Sequence, residues 1–230
     1  MLNRFLVACA IVACFIPVSS RAHHGLDFIL VQTVHLPGKG TMYGVGRVDY
    51  ISEEDYEMEF EPALLYGATD WMTLELHAHY EKESGESTRY ESIAPALSFR
   101  LTPRGQSFSA GAIAEYEFAD NSDDDDVVEM TAVFGYESSG WITTANVLYE
   151  KHSGSSAEWG YAAGVRHTLG EVHGMGLELL GSFEGDGSSE ALLGYYGEYS
   201  QQLSLNAGIG VGIDQGPDWA FRTALIWRFK

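Results

Sequence analysis

Carboxylates and imidazoles recur at every second position in two neighbouring stretches of this chain: Glu57, Glu59 and Glu61, then Glu75, His77 and His79. In an extended strand that spacing puts the side chains on one face, and imidazole beside carboxylate suits a divalent metal. Glu75, His77 and His79 are therefore candidate ligands, with Glu57 and Glu59 next door; ordinary solvated residues of a polar interior are the alternative. His23 and His24 are a second candidate pair. They follow a candidate cleavage site, where a new amino terminus and an imidazole could together hold copper. The run Asp123-Asp124-Asp125-Asp126 could hold calcium, bridge cations to lipopolysaccharide or simply be solvated. No resident cofactor is expected.

Enzyme chemistry finds little footing. Both cysteines, Cys9 and Cys14, lie in the leader described below, which leaves no mature thiol for catalysis, disulfides or thiolate metal sites. His152 and Ser153, and His167 and Thr168, are sequence neighbours and so point to opposite faces of a strand. There is no Gly-x-Ser-x-Gly elbow.

The elements that must carry these residues are strands. From Asp218 to Lys230, Trp219, Phe221, Thr223, Leu225, Trp227 and Phe229 fall on one face, and Arg222, Arg228 and Lys230 on the other. The alternation recurs along the chain, for example Phe60, Leu64 and Tyr66, then Leu74, Leu76 and Tyr80, then Met130, Phe134 and Tyr136. Large apolar side chains facing one way, charges the other and aromatics near strand ends suit a wall between lipid and water. The pattern predicts an all-β, antiparallel, up-and-down transmembrane barrel of about twelve strands, with 10–13 admissible. The expected strands are 41–51, 55–67, 71–82, 88–101, 106–118, 127–137, 141–151, 156–169, 174–184, 189–200, 202–213 and 218–230.

The amino terminus reads as an export signal: Arg4, an apolar stretch from Phe5 to Ile16, and the small-x-small site Ser20-Arg21-Ala22. Ile11-Val12-Ala13-Cys14 also resembles a lipoprotein processing site. The expected organisation is a signal peptide over 1–22, an N-terminal segment over 23–39 and a barrel over 40–230. The segment either tucks into or under the barrel or adds a strand. Apolar residues make up 45% of the chain, yet mean hydropathy is −0.10, as alternation requires. A net charge of −20 argues against nucleic-acid partners.

The inner faces should hold Arg47, Asp49, Glu57, Glu59, Glu61, Glu75, His77, His79, Arg100, Glu115, Glu117, Arg166, Glu178, Arg222 and Arg228, with Glu129, Glu137, Glu184, Glu190 and Glu198. Closure would bring Arg222 and Arg228 near Arg47 as a basic strip opposite an acidic wall. Twelve strands about 4.8 Å apart and tilted near 40° give a backbone diameter of about 24 Å. Side chains leave about 10 Å of it, between a filled small barrel and an open porin. Two readings follow: a polar, acidic path for small solutes, or a network of charges that plugs the barrel.

With its signal peptide, alternating strands and ending Phe221-x-Thr223-x-Leu225-x-Trp227-x-Phe229, the chain resembles Gram-negative outer-membrane β-barrels over the whole mature length. Lys230 departs from the terminal aromatic of that signal. In size and short loops the chain is similar to transporter-type barrels of the meta-pathway phenol-degradation family, thought to pass hydrophobic small molecules. The resemblance implies an outer-membrane location with both termini periplasmic. It also implies contact with lipid and lipopolysaccharide, insertion by the barrel-assembly machinery, and a small solute as cargo.

Overall fold

The structure is a computed structural model that describes residues 26–52, 55–121, 125–184 and 187–229. The expected leader, His23 and His24, and Lys230 lie outside the described residues. The strands are β1 Met42–Ser52, β2 Tyr56–Gly67, β3 Met72–Glu83, β4 Arg89–Arg100, β5 Phe108–Ala119, β6 Val127–Ser138, β7 Trp141–His152, β8 Glu158–Leu169, β9 His173–Ser182, β10 Ser189–Glu198, β11 Leu203–Gly212 and β12 Trp219–Arg228. Each pairs antiparallel with its chain neighbours, and β1 pairs with β12 from Tyr43–Arg228 to Ser52–Trp219. The result is a closed barrel without a free edge, as the alternation predicts.

Strands of 10 to 12 residues are long enough to cross a bilayer when tilted. Their outward side chains form an apolar belt that includes Leu64, Leu76, Leu97, Met130, Leu177, Leu193, Ile209 and Leu225. Aromatic contacts ring both ends of it. Tyr50 stacks on Tyr56 and Trp219 at one end, and Trp71 stacks on Phe99 at the other. The end at which β1 begins carries the shorter connections and is called the turn end; the opposite one is the loop end. The tightest connection is Ser139-Gly140 between β6 and β7, where φ is 51° and 83°. Two positive φ values in a two-residue hairpin suit the strand twist and favour glycine.

Three expected inner-face residues are exposed: Glu198 and Arg228 at the ends of β10 and β12, and Glu184. Glu184 lies beyond β9, exposed, where its amide donates to Ser182 Oγ (3.0 Å) and the chain turns out of the ladder.

Residues 26–37 add no thirteenth strand. They run inside the barrel, where Phe28, Ile29, Leu30 and Val31 are 0–2% exposed. These four pack against Leu148, Ala162, Leu180, Leu192 and Tyr196, contributed by β7 to β10. Val34 packs on Ile113 and Val133, and Leu26 on the cluster of Val45, Leu65 and Ile226. The wall opposite is kept small. A Cβ on Gly164 would lie 2.9 Å from the Phe28 ring, and one on Gly111 would lie 2.5 Å from Val34.

Candidate functional site

The interior has two differently built regions. Toward the turn end, polar side chains of the wall grip the backbone of residues 26–37. An extended segment without strand partners must satisfy its amides some other way. Glu178 of β9 does so: its carboxylate accepts from the amides of Ile29 (2.9 and 3.1 Å), Leu30 (2.6 Å) and Val31 (3.0 Å), and from the Tyr196 hydroxyl (2.6 Å). Three successive amides around an anion form a charge-assisted nest. Asn146 then pairs with Gln32 as another strand would: its Oδ1 accepts from the Gln32 amide (2.7 Å) and its Nδ2 donates to the Gln32 carbonyl (3.1 Å). Thr144 donates to that carbonyl as well (2.8 Å).

Three arginines complete the grip, Arg104 by donating to the carbonyls of Leu36 and Pro37 (both 3.3 Å). Arg166 donates to the Asp27 carbonyl (3.0 Å) and carboxylate (2.9 Å), and Arg100 donates to the Val34 carbonyl (3.1 Å). Within the segment, Asp27 and His35 form a short contact, and the other His35 ring nitrogen meets Glu137 of β6 at 2.6 Å. The adjacent Asp27 charge raises the His35 pKa from its ordinary 6.5 to about 9, against the effect of burial and helped by both hydrogen bonds. Burial opposes ionisation of Asp27, but His35 and Arg166 outweigh it and hold the carboxyl well below its usual range.

From mid-barrel to the loop end, charges meet charges. Arg222 chelates Glu190 through Nε (3.1 Å) and Nη2 (2.7 Å) and donates to Asp49 through Nη1 (2.5 Å). Arg47 reaches the same Asp49 oxygen (2.8 and 2.5 Å). The expected basic strip thus contains two carboxylates that balance its two arginines. Arg228 does not join it: paired with Tyr43, it sits exposed at the turn end. Across the barrel, Glu115, Glu129, Glu150 and Glu158 are successive cross-strand partners on β5 to β8. Glu117 accepts from Ser92 in a short contact, while Glu57 and Glu59 are half-buried on β2.

The histidines of β3 lie among carboxylates of three strands. His77 Nδ1 is 3.4 Å from Glu61 and 3.5 Å from Glu115, and its Nε2 is 3.4 Å from Glu75. His79 Nε2 is 3.8 Å from the same Glu61 oxygen. Glu61, His77 and His79 thus converge, whereas Glu75 stands on the far side of the His77 ring. Spacing within one strand pointed to Glu75; the residue that joins the histidines comes from β2. Beside this cluster a cleft runs between the segment and the wall, lined by Gln32, His35 and Pro37 on one side and Leu65, Glu75, Ser98 and Ile113 on the other.

No protein-family model matches the chain, and no curated protein matches it. Solved barrels do. The fold is similar to an outer-membrane channel from Pseudomonas putida F1, with a TM-score of 0.70 at 13% identity over 90% of this chain and 100% of that one. The KdgM porin gives 0.62 at 7% identity over 82% and 99%. Its complex with disordered oligogalacturonate gives 0.60 at 7% over 83% and 99%. At such identities the likeness is one of fold.

Proposed function

We propose that the protein is a non-catalytic channel of a Gram-negative outer membrane, passing small solutes through a polar, acidic lumen that residues 26–37 narrow. The observation that supports this reading is the row of carboxylates Glu115, Glu129, Glu150 and Glu158 along the wall from β5 to β8, with a cleft about the size of one water molecule left between the segment and β2 to β5.

The charge balance sets the preference. With the arginines engaged by Asp49, Glu190, Asp27 and backbone carbonyls, the carboxylates of β2 to β8 dominate the remaining field. Such a lining favours small cations and neutral polar solutes over anions. A polyanion such as the oligogalacturonate bound by the KdgM porin would be repelled. The outward aromatic rings support residence in a bilayer, with the turn end and both termini in the periplasm, lipopolysaccharide around the loop end, and insertion by the barrel-assembly machinery through the β12 pattern. Kinship with the phenol-degradation barrels stays within this proposal and adds a small phenol as a solute to try.

Swelling of liposomes loaded with the refolded mature protein tests the reading. Swelling should be faster with neutral and cationic solutes of sugar size or below than with matched anions. Absence of swelling with every solute would favour a barrel closed for good by its segment.

A further inference from the structure

We propose that Glu61, His77 and His79 form a binding site for a divalent transition-metal ion of the zinc type inside the barrel, with the fourth position open to water. The argument begins with the separations. The donor atoms stand 3.4 Å apart for His77 and Glu61, 3.5 Å for His77 and Glu115 and 3.8 Å for His79 and Glu61. Zinc binds nitrogen and oxygen at about 2.0–2.2 Å, and a tetrahedron of that radius has edges of about 3.3–3.6 Å. Two of the three separations fall within that range and the third lies just above it.

The donor set fits as well. Two imidazoles and carboxylate suit zinc and its neighbours, whereas calcium and magnesium prefer oxygen alone. One atom each from Glu61, His77 and His79 falls within 4.8 Å of the others. Their side chains are 11%, 0% and 10% exposed, and that of Glu115 is 3%, so the ion would be shielded from bulk water yet reachable from the lumen.

The surroundings also suit a metal. A ligating imidazole usually donates its other N–H to a carboxylate, which fixes the tautomer. His77 turns Nε2 to Glu75 (3.4 Å), and Glu75 in turn accepts from Ser98 in a short contact. The proton therefore belongs on Nε2, which leaves the Nδ1 lone pair for the ion. The ladder between β3 and β4 shifts register between His79 and Tyr80, beside the site, and such irregularities re-aim side chains. The rival is a protonated His77 balancing Glu61, Glu75 and Glu115. It would set two imidazoles against one Glu61 oxygen, and they would repel each other if both were charged.

The site stands on the barrel geometry and not on the transport reading, so the two fail separately. Calorimetry of the refolded, metal-stripped mature protein with Zn²⁺ should give one equivalent. Glu61→Gln and His79→Gln should weaken binding by more than about 100-fold, and Glu75→Gln by about 10–100-fold. The double variant His23→Ala/His24→Ala should keep the equivalent. Heat-dependent gel migration reports whether each variant has closed its barrel. Should the ligand variants not fold, Co²⁺ bound to the unaltered protein should give the intense visible bands of four-coordinate cobalt, removed by Zn²⁺. Absence of Zn²⁺ binding, the weak spectrum of six-coordinate cobalt, or binding lost only in the His23/His24 variant would overturn the proposal.

Discussion

Residues 26–37 and the Arg47–Asp49–Arg222–Glu190 group both occupy the barrel interior, and they are held by different physics. The segment is bound through its backbone and through apolar side chains in wall pockets, with Glu178 receiving three of its amides. The charged group is wall bound to wall: arginines and carboxylates from β1, β10 and β12 tie the seam where the barrel closes. Removing the first should leave the ladder intact, because the segment contributes no strand. Removing the second should weaken closure itself. The same residue types therefore do separable work, and each region can be broken while the other serves as control.

The largest effect should come from Glu178→Ala. It strips the acceptor from three buried amides and a tyrosine hydroxyl, each a loss of about 1–3 kcal/mol. The segment should leave the lumen and become open to protease, while the barrel keeps its heat-dependent gel migration. Asp49→Asn should do the reverse. It leaves Arg47 and Arg222 without the charge between them, at about 3–5 kcal/mol. Unfolding in urea should move to lower concentration with the segment still protected. If both variants release the segment, the two regions are not separable.

A smaller effect is expected from Gly164→Ala, whose Cβ would lie 2.9 Å from the Phe28 ring. Overpacking of that kind costs about 1–3 kcal/mol, enough to raise protease cutting within the segment without loosening the barrel. Leu76→Ala, a truncation on the lipid-facing side of β3, should leave the segment unmoved.

Smallest is the response to pH. His35 has its pKa raised to about 9, so its contribution to docking is complete below 6.5 and is lost as pH rises through 9. Asp27 has its pKa lowered, so its share is present above 3.8 and is lost only as pH falls below the usual carboxylate range. Protease protection of the segment should hold from about pH 4 to 6.5 and decline toward pH 9. His35→Gln should flatten that decline. A decline of equal size in the variant would assign it to another group.

How far the sequence reveals this molecule depends on the range of the signal. Period-two alternation is local, and it places all twelve strands with ends that differ from the observed ones by at most two residues. The closing pair also follows, because β12 has no other free neighbour. Partners across strands depend on register and are harder to read. Glu61 rather than Glu75 joins His77 and His79 because β2 lies beside β3. Arg228 is remote from Arg47 because the pairing sets it against Tyr43. The segment is the least legible part. Phe28 to Val31 are buried on all sides, so their apolar run carries no period, and Glu178 looks like any other inward carboxylate until the chain it holds is in place.

The most direct test of a narrowed acidic channel is a pair of planar-bilayer recordings, one on the mature protein and one on a version lacking residues 26–37. The account predicts small, cation-preferring steps for the first and steps several-fold larger, still cation-preferring, for the second. Equal steps in the two, or a silent barrel even without the segment, would contradict it.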